Sequence, residues 1–325
     1  MVNYLLKKSY QRKNLKEIKF RDLWNDHGVF TTMWIYDKPP RILFFKSHID
    51  NLIESLKVYK IYERNIKSQI LKLINLNIKK NKNYNHLLRV AVKKNIISIS
   101  IRNKIKTKKN FNLNIINYKR IKPEYKNLKY KIILKHLSKL DPSKSDIALV
   151  VNNKILESGT SNLLFVSKNK IYSPVNNFYK GTNIRFLEKK FKIIKKDIFL
   201  KNINNFEEII LVGSGKGITS VKQINEINWN KKSDKFYKKL LFIYNREIKT
   251  QKSIFKYIIL NHSTSFWILS PPNDQYENKS VCLVSLSRIM WSRTAYRAIV
   301  WKPLRSMSDL HHRLKKRKNT GSTGN

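Results

Sequence analysis

Apolar residues recur at helical spacing in three parts of the chain, and each part predicts a helix. The first part places them at i, i+3, i+4 and i+7, the pattern of a helix with one buried face. It consists of Ile49, Leu52, Ile53 and Leu56. The second part consists of Leu128, Ile132, Ile133, Leu137 and Leu140, and the Asp141-Pro142 pair that follows predicts its end. The third predicted helix covers residues 185–194.

Short apolar runs bounded by polar turns predict strands. Single strands are expected at residues 42–45 and at residues 208–212. Three pairs of runs predict antiparallel neighbours: residues 87–92 with 96–101, residues 147–151 with 154–156, and residues 162–166 with 170–172. Because helical and strand patterns are interspersed, the sequence predicts a mixed α/β (α+β) fold.

Composition divides the chain near residue 250. The 325 residues are 41% hydrophobic and 11% aromatic, enough to bury a large core in two domains or in one domain with an extension. Lysine becomes less frequent after residue 250, and the apolar residues there keep no helical or strand period. Residues 251–325 end in HHRLKKRKNTGSTGN and are predicted to form a basic, poorly ordered extension.

Cysteine content and the N-terminal sequence limit the class of protein further. The single cysteine, Cys282, cannot build a disulfide framework or a cysteine metal site within one chain, and no metal is expected. The N-terminal residues MVNYLLKKSYQRKN lack the apolar core of a signal peptide. No apolar run approaches the length of a membrane span. We therefore expect a cytoplasmic, soluble protein with no membrane partner.

The net charge of +47 raises the possibility of a polyanionic partner. The chain has 68 Lys+Arg against 21 Asp+Glu, and such a field attracts nucleic acid. The lysines are spread among many Asn and Ile residues, however, as a bias toward A/T-rich codons would spread them. No segment concentrates basic and aromatic side chains, so no specific nucleic-acid partner is expected. A non-enzymatic nucleic-acid-binding protein stays open as an alternative.

Three features carry candidate chemistry: an acid, a lysine and a pair of small-residue turns. In LESGTSNLLFV, residues 156–166, the acid Glu157 is followed by small and polar residues between two predicted strands. Lys126 precedes the second predicted helix, where Lys122 and Lys129 are rival candidates. The turns KGT (180–182) and GSGKG (213–217) could offer backbone N–H groups to a phosphate, although GSGKG lacks the spacing of a Walker loop. Taken singly, the Glu157 segment favours a strand-end turn with an exposed acid and Ser/Thr capping.

Taken in order, five segments resemble the fold-type IV (class IV) pyridoxal-phosphate enzymes. This family includes branched-chain and D-amino acid aminotransferases and 4-amino-4-deoxychorismate lyase. The resemblance extends over residues 20–228. The segments that carry it are DHGVFTTMWIYDKPPRILFFKSHIDNL, YKNLKYKIIL, LESGTSNLLFV, KGTNIR and LVGSGKGITSV.

The resemblance implies a two-domain fold with its cofactor, pyridoxal 5'-phosphate, in the cleft between the domains. Residues 1–118 would form a smaller N-terminal α/β domain, and residues 119–250 a larger pseudobarrel domain that binds the cofactor. Residues 251–325 would be an extension that is atypical of the family. The resemblance also implies a homodimer with active sites near the interface and a small-molecule substrate.

Site residues follow from the same resemblance. Lys126 would hold the cofactor as a Schiff base and then transfer protons, and Glu157 would bond to the pyridine nitrogen. The phosphate would rest on Gly213, Ser214 and either Thr182–Asn183 or Asn183–Ile184. Asn51 stands where the family has a phosphate-binding arginine, and an amide brings no charge.

The VFTT segment, residues 29–32, is similar to that of the aminodeoxychorismate lyases. It implies that 4-amino-4-deoxychorismate is converted to 4-aminobenzoate and pyruvate for folate biosynthesis. Thr31 and Thr32 would contact the substrate, and Arg89 would bind a carboxylate or else pair within the structure. The alternative within the family is an aminotransferase that acts on D- or branched-chain amino acids.

Overall fold

A six-stranded sheet forms the first part of the molecule. The structure, a computed structural model, describes residues 3–258. The strands of this first sheet are β1 (Tyr4–Gln11), β2 (Glu17–Ile18), β3 (Gly28–Asp37), β4 (Arg41–Ile42), β5 (Tyr84–Lys93) and β6 (Ile96–Asn103). Their order is β2-β1-β6-β5-β3-β4, and all neighbours are antiparallel. The predicted hairpin of residues 87–92 and 96–101 is confirmed as β5 and β6.

Two helices pack on this first sheet. They are α1 (Phe45–Val58) and α2 (Ile66–Asn77). The predicted stripe of α1 is confirmed, since Ile49, Leu52 and Leu56 are buried in the core shared with the strands. The predicted strand at residues 42–45 is wrong beyond Ile42. The chain turns at Phe44, whose φ is 55°, and α1 begins at the next residue.

Two further sheets pack face to face in the second part of the molecule. A six-stranded sheet has the order β13-β9-β8-β7-β16-β17, and a five-stranded sheet has the order β12-β11-β10-β14-β15. Their elements are β7 (Asn112–Asn117), α3 (Lys131–Leu137), β8 (Ser145–Val151), β9 (Lys154–Ser158), β10 (Asn162–Ser167), β11 (Lys170–Ser173), α4 (Thr182–Glu188), β12 (Ile193–Lys195), β13 (Ile198–Phe199), β14 (Glu208–Gly213), β15 (Gly217–Ser220), β16 (Gln223–Ile224), β17 (Trp229–Asn230) and α5 (Lys235–Thr250), with 3₁₀ turns at Leu200–Asn205 and Asn225–Ile227.

Strand β10 is buried on both faces, which explains its uninterrupted apolar run. Leu163 and Phe165 pack between the two sheets, whereas Leu164 and Val166 face α4 and α5. Successive side chains of a strand point to opposite faces, so a strand covered on both sides needs apolar residues throughout. The same arrangement holds for its neighbour β14, the strand predicted at residues 208–212.

Several predicted boundaries in this part are confirmed and others are wrong. The strand pairs predicted at residues 147–156 and 162–172 are confirmed as β8–β9 and β10–β11. The helix predicted at residues 185–194 is wrong in extent, because α4 ends at Glu188 and residues 193–195 form strand β12 beside β11. The second predicted helical stripe is also shorter than expected, since Leu128 precedes α3 and Leu140 follows it.

The mixed α/β fold class is confirmed. The domain boundaries at residues 118 and 250 stay predictions. Of the predicted extension, residues 251–258 are described, and Ile254 and Ile258 pack into the core of the first sheet. Residues 259–325 lie outside the described residues. Within the described part, no helix has the length and apolar character needed to cross a membrane.

Candidate active site

Most of the residues predicted for the site face one narrow cleft of about 40 Å³. Segments far apart in sequence meet there: β3, α1, the loop before α3, β9 with the turn after it, the start of α4 and the end of β14. The predicted residues that line this polar cleft are Thr31, Lys126, Glu157, Thr182, Asn183, Gly213 and Ser214. The fold therefore brings the candidate amine, the candidate acid and the candidate phosphate-binding groups together.

Lys126 is held in place by backbone hydrogen bonds to the start of β3. The Phe30 N–H donates to the Lys126 carbonyl at 2.9 Å, and the Leu128 N–H donates to the Gly28 carbonyl at 3.0 Å. A Cβ at Gly28 would lie 2.4 Å from the Val92 carbonyl oxygen, so only glycine allows this close approach. The lysine segment thus depends on a glycine almost one hundred positions earlier in the chain.

The electrostatic surroundings of Lys126 favour a neutral amine. Its pKa falls from 10.5 to about 8, mainly through burial and then through the Arg120 guanidinium, while the Glu157 carboxylate opposes the shift. Nζ lies 5.3 Å from the ring centroid of Phe30 and 5.5 Å from that of Tyr179. A lysine with a lowered pKa provides free amine near neutral pH, which a nucleophile or a proton acceptor requires.

The lowered pKa of Lys126 predicts the pH dependence of reactions at its amine. The neutral form dominates above pH 8 in this site but only above pH 10.5 in an ordinary lysine. We expect the rate of covalent modification of Lys126 by pyridoxal 5'-phosphate to rise with pH, with its midpoint near pH 8. Stopped-flow absorbance measures this rate. A midpoint at the ordinary value, near 10.5, would contradict the burial of this amine.

Glu157 forms a buried ion pair with Arg120 at the end of β9. Arg120 Nε donates to Glu157 Oε1 at 2.6 Å, and the exposed fractions of the two side chains are 2% and 6%. The Tyr179 N–H donates to Oε2 at 3.3 Å. Arg120 also donates to the carbonyls of Pro123, at 2.5 Å, and Tyr125, at 3.1 Å. Burial raises the pKa of Glu157, and Arg120 limits the rise. The pair therefore keeps a carboxylate in the cleft.

The small hydroxyl residues after Glu157 are held by a second buried acid, Asp146. Its Oδ2 accepts from Thr160 Oγ1 at 2.5 Å and from Ser158 Oγ at 3.2 Å, while Oδ1 accepts from the Ile147 N–H at 2.8 Å. A Cβ at Gly159 would lie 2.6 Å from Ile147 Cγ1. The sequence ESGTS is thus a turn that folds tightly around Asp146 and fixes the end of β9.

Asn162, the residue after this turn, connects it to the other side of the cleft, and Ser161 is the last residue of the turn. Asn162 donates to the Tyr179 carbonyl at 2.6 Å and accepts from the Gly181 N–H at 3.1 Å. Ser161 Oγ is buried in the cleft and has no hydrogen-bond partner among the described residues. A Cβ at Gly213 would lie 2.5 Å from that oxygen, so Gly213 leaves space that a side chain would fill.

His48 connects three hydroxyl groups at one end of the cleft. Its Nδ1 lies 2.9 Å from Thr31 Oγ1, and its Nε2 lies 3.1 Å from Thr182 Oγ1 and 3.2 Å from Ser214 Oγ. The side chain is buried, and burial lowers its pKa to about 3, with a further contribution from Lys126. His48 is therefore a neutral imidazole at neutral pH.

Replacing His48 by leucine removes the shared partner of these hydroxyls. We expect a loss of about 1–3 kcal/mol in the free energy of unfolding, because buried polar groups are left unpaired. His136→Leu is the control, since the structure gives that imidazole no hydrogen bond within the described residues. Urea denaturation measures both. Equal stability of the two variants would contradict a structural role for the His48 hydrogen bonds.

Sequence reasoning missed His48 and Arg120. A signal for His48 was present, because it lies one turn from Phe45 and from Leu52 on the buried face of α1, where a polar residue needs a partner. No local pattern distinguishes Arg120 from the other basic residues of the chain. Its partner Glu157 is 37 positions away.

Asn51 does not line the polar cleft. It borders a neighbouring groove together with Lys180, Arg185 and Thr182, and of these only Thr182 also lines the cleft. Burial raises the pKa of Tyr179, and the nearby Asn51 side chain opposes that shift. Asn51 Nδ2 itself is buried without a hydrogen-bond partner among the described residues. The cations Lys180 and Arg185 border the same groove.

Thr32 and Arg89 line a second, wider cavity of about 430 Å³. Arg89 pairs with Asp22 at 2.7 Å and lies 4.0 Å from the ring centroid of Trp24. It therefore pairs within the structure, one of the two alternatives that the sequence left open. The residues that line both the cleft and this wider cavity are Lys126, Tyr130, Thr160 and Ser214. The two spaces are adjacent, with the lysine between them.

The family model described as amino-transferase class IV matches residues 28–224. This range includes every residue predicted for the site. No curated protein matches the sequence significantly.

Solved structures share the fold at low sequence identity. A branched-chain aminotransferase from the archaeon Thermoproteus uzoniensis, with norvaline, has a TM-score of 0.61 and 14% identity, covering 78% of this chain and 100% of its own. The branched-chain amino acid aminotransferase of Escherichia coli has a TM-score of 0.58 and 14% identity, with coverage of 72% and 91%. A Legionella pneumophila protein provisionally assigned as a 4-amino-4-deoxychorismate lyase has a TM-score of 0.55 and 18% identity, with coverage of 68% and 91%.

Proposed function

The chain belongs to the class IV aminotransferase family, and on that basis we propose that it is a lyase that converts 4-amino-4-deoxychorismate to 4-aminobenzoate and pyruvate. Enzymes of this family use pyridoxal phosphate. The observation that carries the proposal is that Lys126 and Glu157 line one cleft, which adjoins a cavity large enough for a ring.

The residues of the polar cleft fit pyridoxal phosphate in their chemistry. An amine with a lowered pKa can bond to the aldehyde carbon, and a buried carboxylate can accept a hydrogen bond from the pyridinium nitrogen. The unpartnered Ser161 Oγ and the space kept open by Gly213 offer further contacts. Because the cleft encloses only about 40 Å³, binding requires lining side chains to shift.

Among the described residues, the phosphate end of the cleft contains hydroxyl and amide groups rather than a cation. Thr182, Asn183, Gly213 and Ser214 would hold the phosphate through side-chain and backbone donors. Asn51 would contribute from the adjacent groove if it turned inward. Neutral donors bind a phosphate dianion more weakly than a guanidinium does. We therefore propose that the affinity for the cofactor comes largely from its covalent attachment to Lys126.

When bound, the cofactor supplies an electron-accepting ring. Glu157 would keep a proton on the ring nitrogen, and Arg120 would keep Glu157 ionised as it does so. Lys126 Nζ would take the proton from the substrate ring carbon. The ring–oxygen bond then breaks, and the enolpyruvate that leaves gains a proton at its methylene carbon to become pyruvate. The remaining ring is aromatic.

The wider cavity favours the lyase over amino-group transfer to an aliphatic amino acid. Trp24, Phe30, Leu87 and Leu134 give it apolar walls, and Thr32 and Arg89 add polar groups at its edge. A volume of about 430 Å³ lies within the range of about 300–1,000 Å³ that is usual for small-molecule sites. The second candidate is an aminotransferase on branched-chain or D-amino acids, which the fold shared with the branched-chain enzymes supports.

Two parallel assays distinguish the lyase from the aminotransferase. Purified protein is supplied with pyridoxal phosphate and 4-amino-4-deoxychorismate, and pyruvate and 4-aminobenzoate are measured. In parallel, transfer of an amino group from branched-chain and D-amino acids to 2-oxoglutarate is measured. We expect the two products in equal amounts and no transfer; transfer without pyruvate would reject the lyase. Protein that takes up no cofactor would favour the nucleic-acid-binding alternative.

We further propose that the enzyme acts in folate biosynthesis as a homodimer, as the family resemblance implies, and that it is cytoplasmic, as expected from the sequence. Light scattering of the purified protein measures the oligomeric state. A monomer that is fully active at the same concentration would reject the dimer.

A further inference from the structure

The wider cavity beside Lys126 is lined by basic residues and, within the described part of the chain, by no acidic residue. The four basic residues are Arg89, Arg102, Lys126 and Lys216. They come from three different parts of the structure: the paired strands β5 and β6, the loop before α3, and the GSGKG turn between β14 and β15. A cavity with this lining has a positive potential and favours an anion.

Two of these cations have at most a long ion pair with a carboxylate. Arg89 is already paired with Asp22, and Lys126 is assigned to the cofactor. Within residues 3–258, no acidic side chain forms an ion pair with Arg102. Lys216 donates to the Pro142 carbonyl at 3.0 Å, and its nearest carboxylate oxygen, on Asp146, is 4.0 Å away.

Arg102 and Lys216 are close enough to repel each other. Burial lowers the pKa of both side chains. At Lys216 the Asp146 carboxylate opposes this shift, and the charge of Arg102 adds to it. Two neighbouring cations with little access to water are unfavourable unless anions balance both of them, and among the described residues Asp146 forms an ion pair with Lys216 alone. A carboxylate in this cavity would remove the repulsion and could accept hydrogen bonds from both groups.

Much of the remaining cavity wall is apolar, with serine and threonine hydroxyls between the apolar side chains, which limits the kind of anion. Trp24, Phe30, Leu87, Leu134 and Leu137 provide a surface suited to a ring. An inorganic anion or a short amino acid would leave this surface exposed to water. A ring that bears a carboxylate would cover it.

We propose that Arg102 and Lys216 bind a carboxylate of a cyclic substrate whose ring packs on the apolar wall of the same cavity. The inference rests on the proposed function, which places the substrate next to Lys126. It gives the GSGKG turn a second role, because Ser214 faces the polar cleft while Lys216 faces the substrate. Arg102 and Lys216 thereby determine specificity for ring carboxylates over neutral rings.

Binding of unreactive probes to the cofactor-loaded protein tests this proposal. Benzene-1,3-dicarboxylate carries ring carboxylates but no amino group, and its diamide is the neutral control. Calorimetry at physiological salt measures both dissociation constants, so that long-range attraction is screened. We expect the dicarboxylate to bind more tightly than the diamide. Arg102→Gln and Lys216→Gln should each weaken only the dicarboxylate, by about tenfold to a hundredfold.

Arg246→Gln is the matched control, because it removes one positive charge from an exposed position on α5. It should leave both constants unchanged. Equal binding of the two probes by the unaltered protein, or an unchanged constant in both cavity variants, would overturn the proposal. Circular dichroism verifies that each variant is folded. If only one of the two cavity variants folds, its dissociation constant for the dicarboxylate decides whether the proposal stands.

The outcomes for the carboxylate site and for the lyase are separable. If the protein binds the dicarboxylate through Arg102 but releases no pyruvate, the carboxylate site stands and the lyase proposal is rejected. If Arg102→Gln and Lys216→Gln release pyruvate as fast as the unaltered protein at substrate concentrations below KM, the lyase proposal stands and the carboxylate site is rejected.

Discussion

Lys126→Ala is expected to abolish both the attachment of pyridoxal phosphate and the release of pyruvate. Among residues 3–258, no other amine lines the polar cleft, so no side chain there can replace it. Loss of the proton-transferring group alone lowers the rate by about 10²- to 10⁴-fold. Visible absorbance of the protein after incubation with cofactor and removal of the excess measures attachment, and the pyruvate assay measures turnover.

Lys122→Ala and Lys129→Ala are matched controls for this variant. Both lysines were rival candidates in the sequence, and neither lines the cleft. Lys129 Nζ instead donates to the Asn25 carbonyl at 2.7 Å. These variants should keep the visible absorbance of the attached cofactor, and thus the colour, and the activity of the unaltered protein. A coloured, active Lys126→Ala protein, or loss of colour in Lys129→Ala, would show that the wrong lysine had been assigned.

Glu157→Gln is expected to lower both activity and stability, for separate reasons. Without a carboxylate the ring nitrogen is not held protonated, and the ring accepts electrons poorly. Arg120 would also remain buried without its counter-ion, and breaking such a pair destabilises a fold by about 3–5 kcal/mol. The pyruvate assay and the free energy of unfolding measure the two effects.

The double variant Glu157→Gln with Arg120→Met separates the two roles of the acid. Removal of both charges relieves the unpaired guanidinium, so we expect stability to recover in part. Activity should stay as low as in the single variant, because the carboxylate is still missing. Recovery of activity together with stability would mean that Glu157 serves the fold alone.

The spacing of apolar residues and the turn sequences correctly predicted several elements. The antiparallel pair of β8 and β9 is joined by Asn152 and Asn153, whose φ values of 48° and 61° suit the two-residue turn that their sequence favours. Helix α1 exposes one face and buries the other, so its apolar residues recur at helical spacing and the helix could be predicted. Lys126 and Glu157 were identifiable because the segments around them resemble a family.

The wrong boundaries share a physical cause, which is that short apolar runs do not distinguish a helix from a strand. Residues 193–195 continue the apolar pattern of α4 but pair with β11 as a strand. Residues 42–45 read as a strand, yet Phe44 turns the chain and Phe45 begins α1. Pairing with β11 decides the first case, and the left-handed backbone of Phe44 decides the second.

The parts of the site that sequence could not predict depend on long-range contacts. His48 and Thr182 are 134 positions apart, and no local pattern relates them. The position of Asn51 outside the polar cleft, and the two cavities on either side of Lys126, also arise only when the segments are packed together. Residue type identified the candidate groups, and packing determined which of them face one another.

The most direct test of the account is to locate the cofactor on the chain. The protein is incubated with pyridoxal phosphate and reduced with borohydride, which makes a lysine–cofactor bond permanent, and its peptides are then analysed by mass spectrometry. We expect about one cofactor per protein chain on the peptide that contains Lys126, and no comparable amount on any other peptide. Label spread over the many surface lysines, with none concentrated on Lys126, would contradict it.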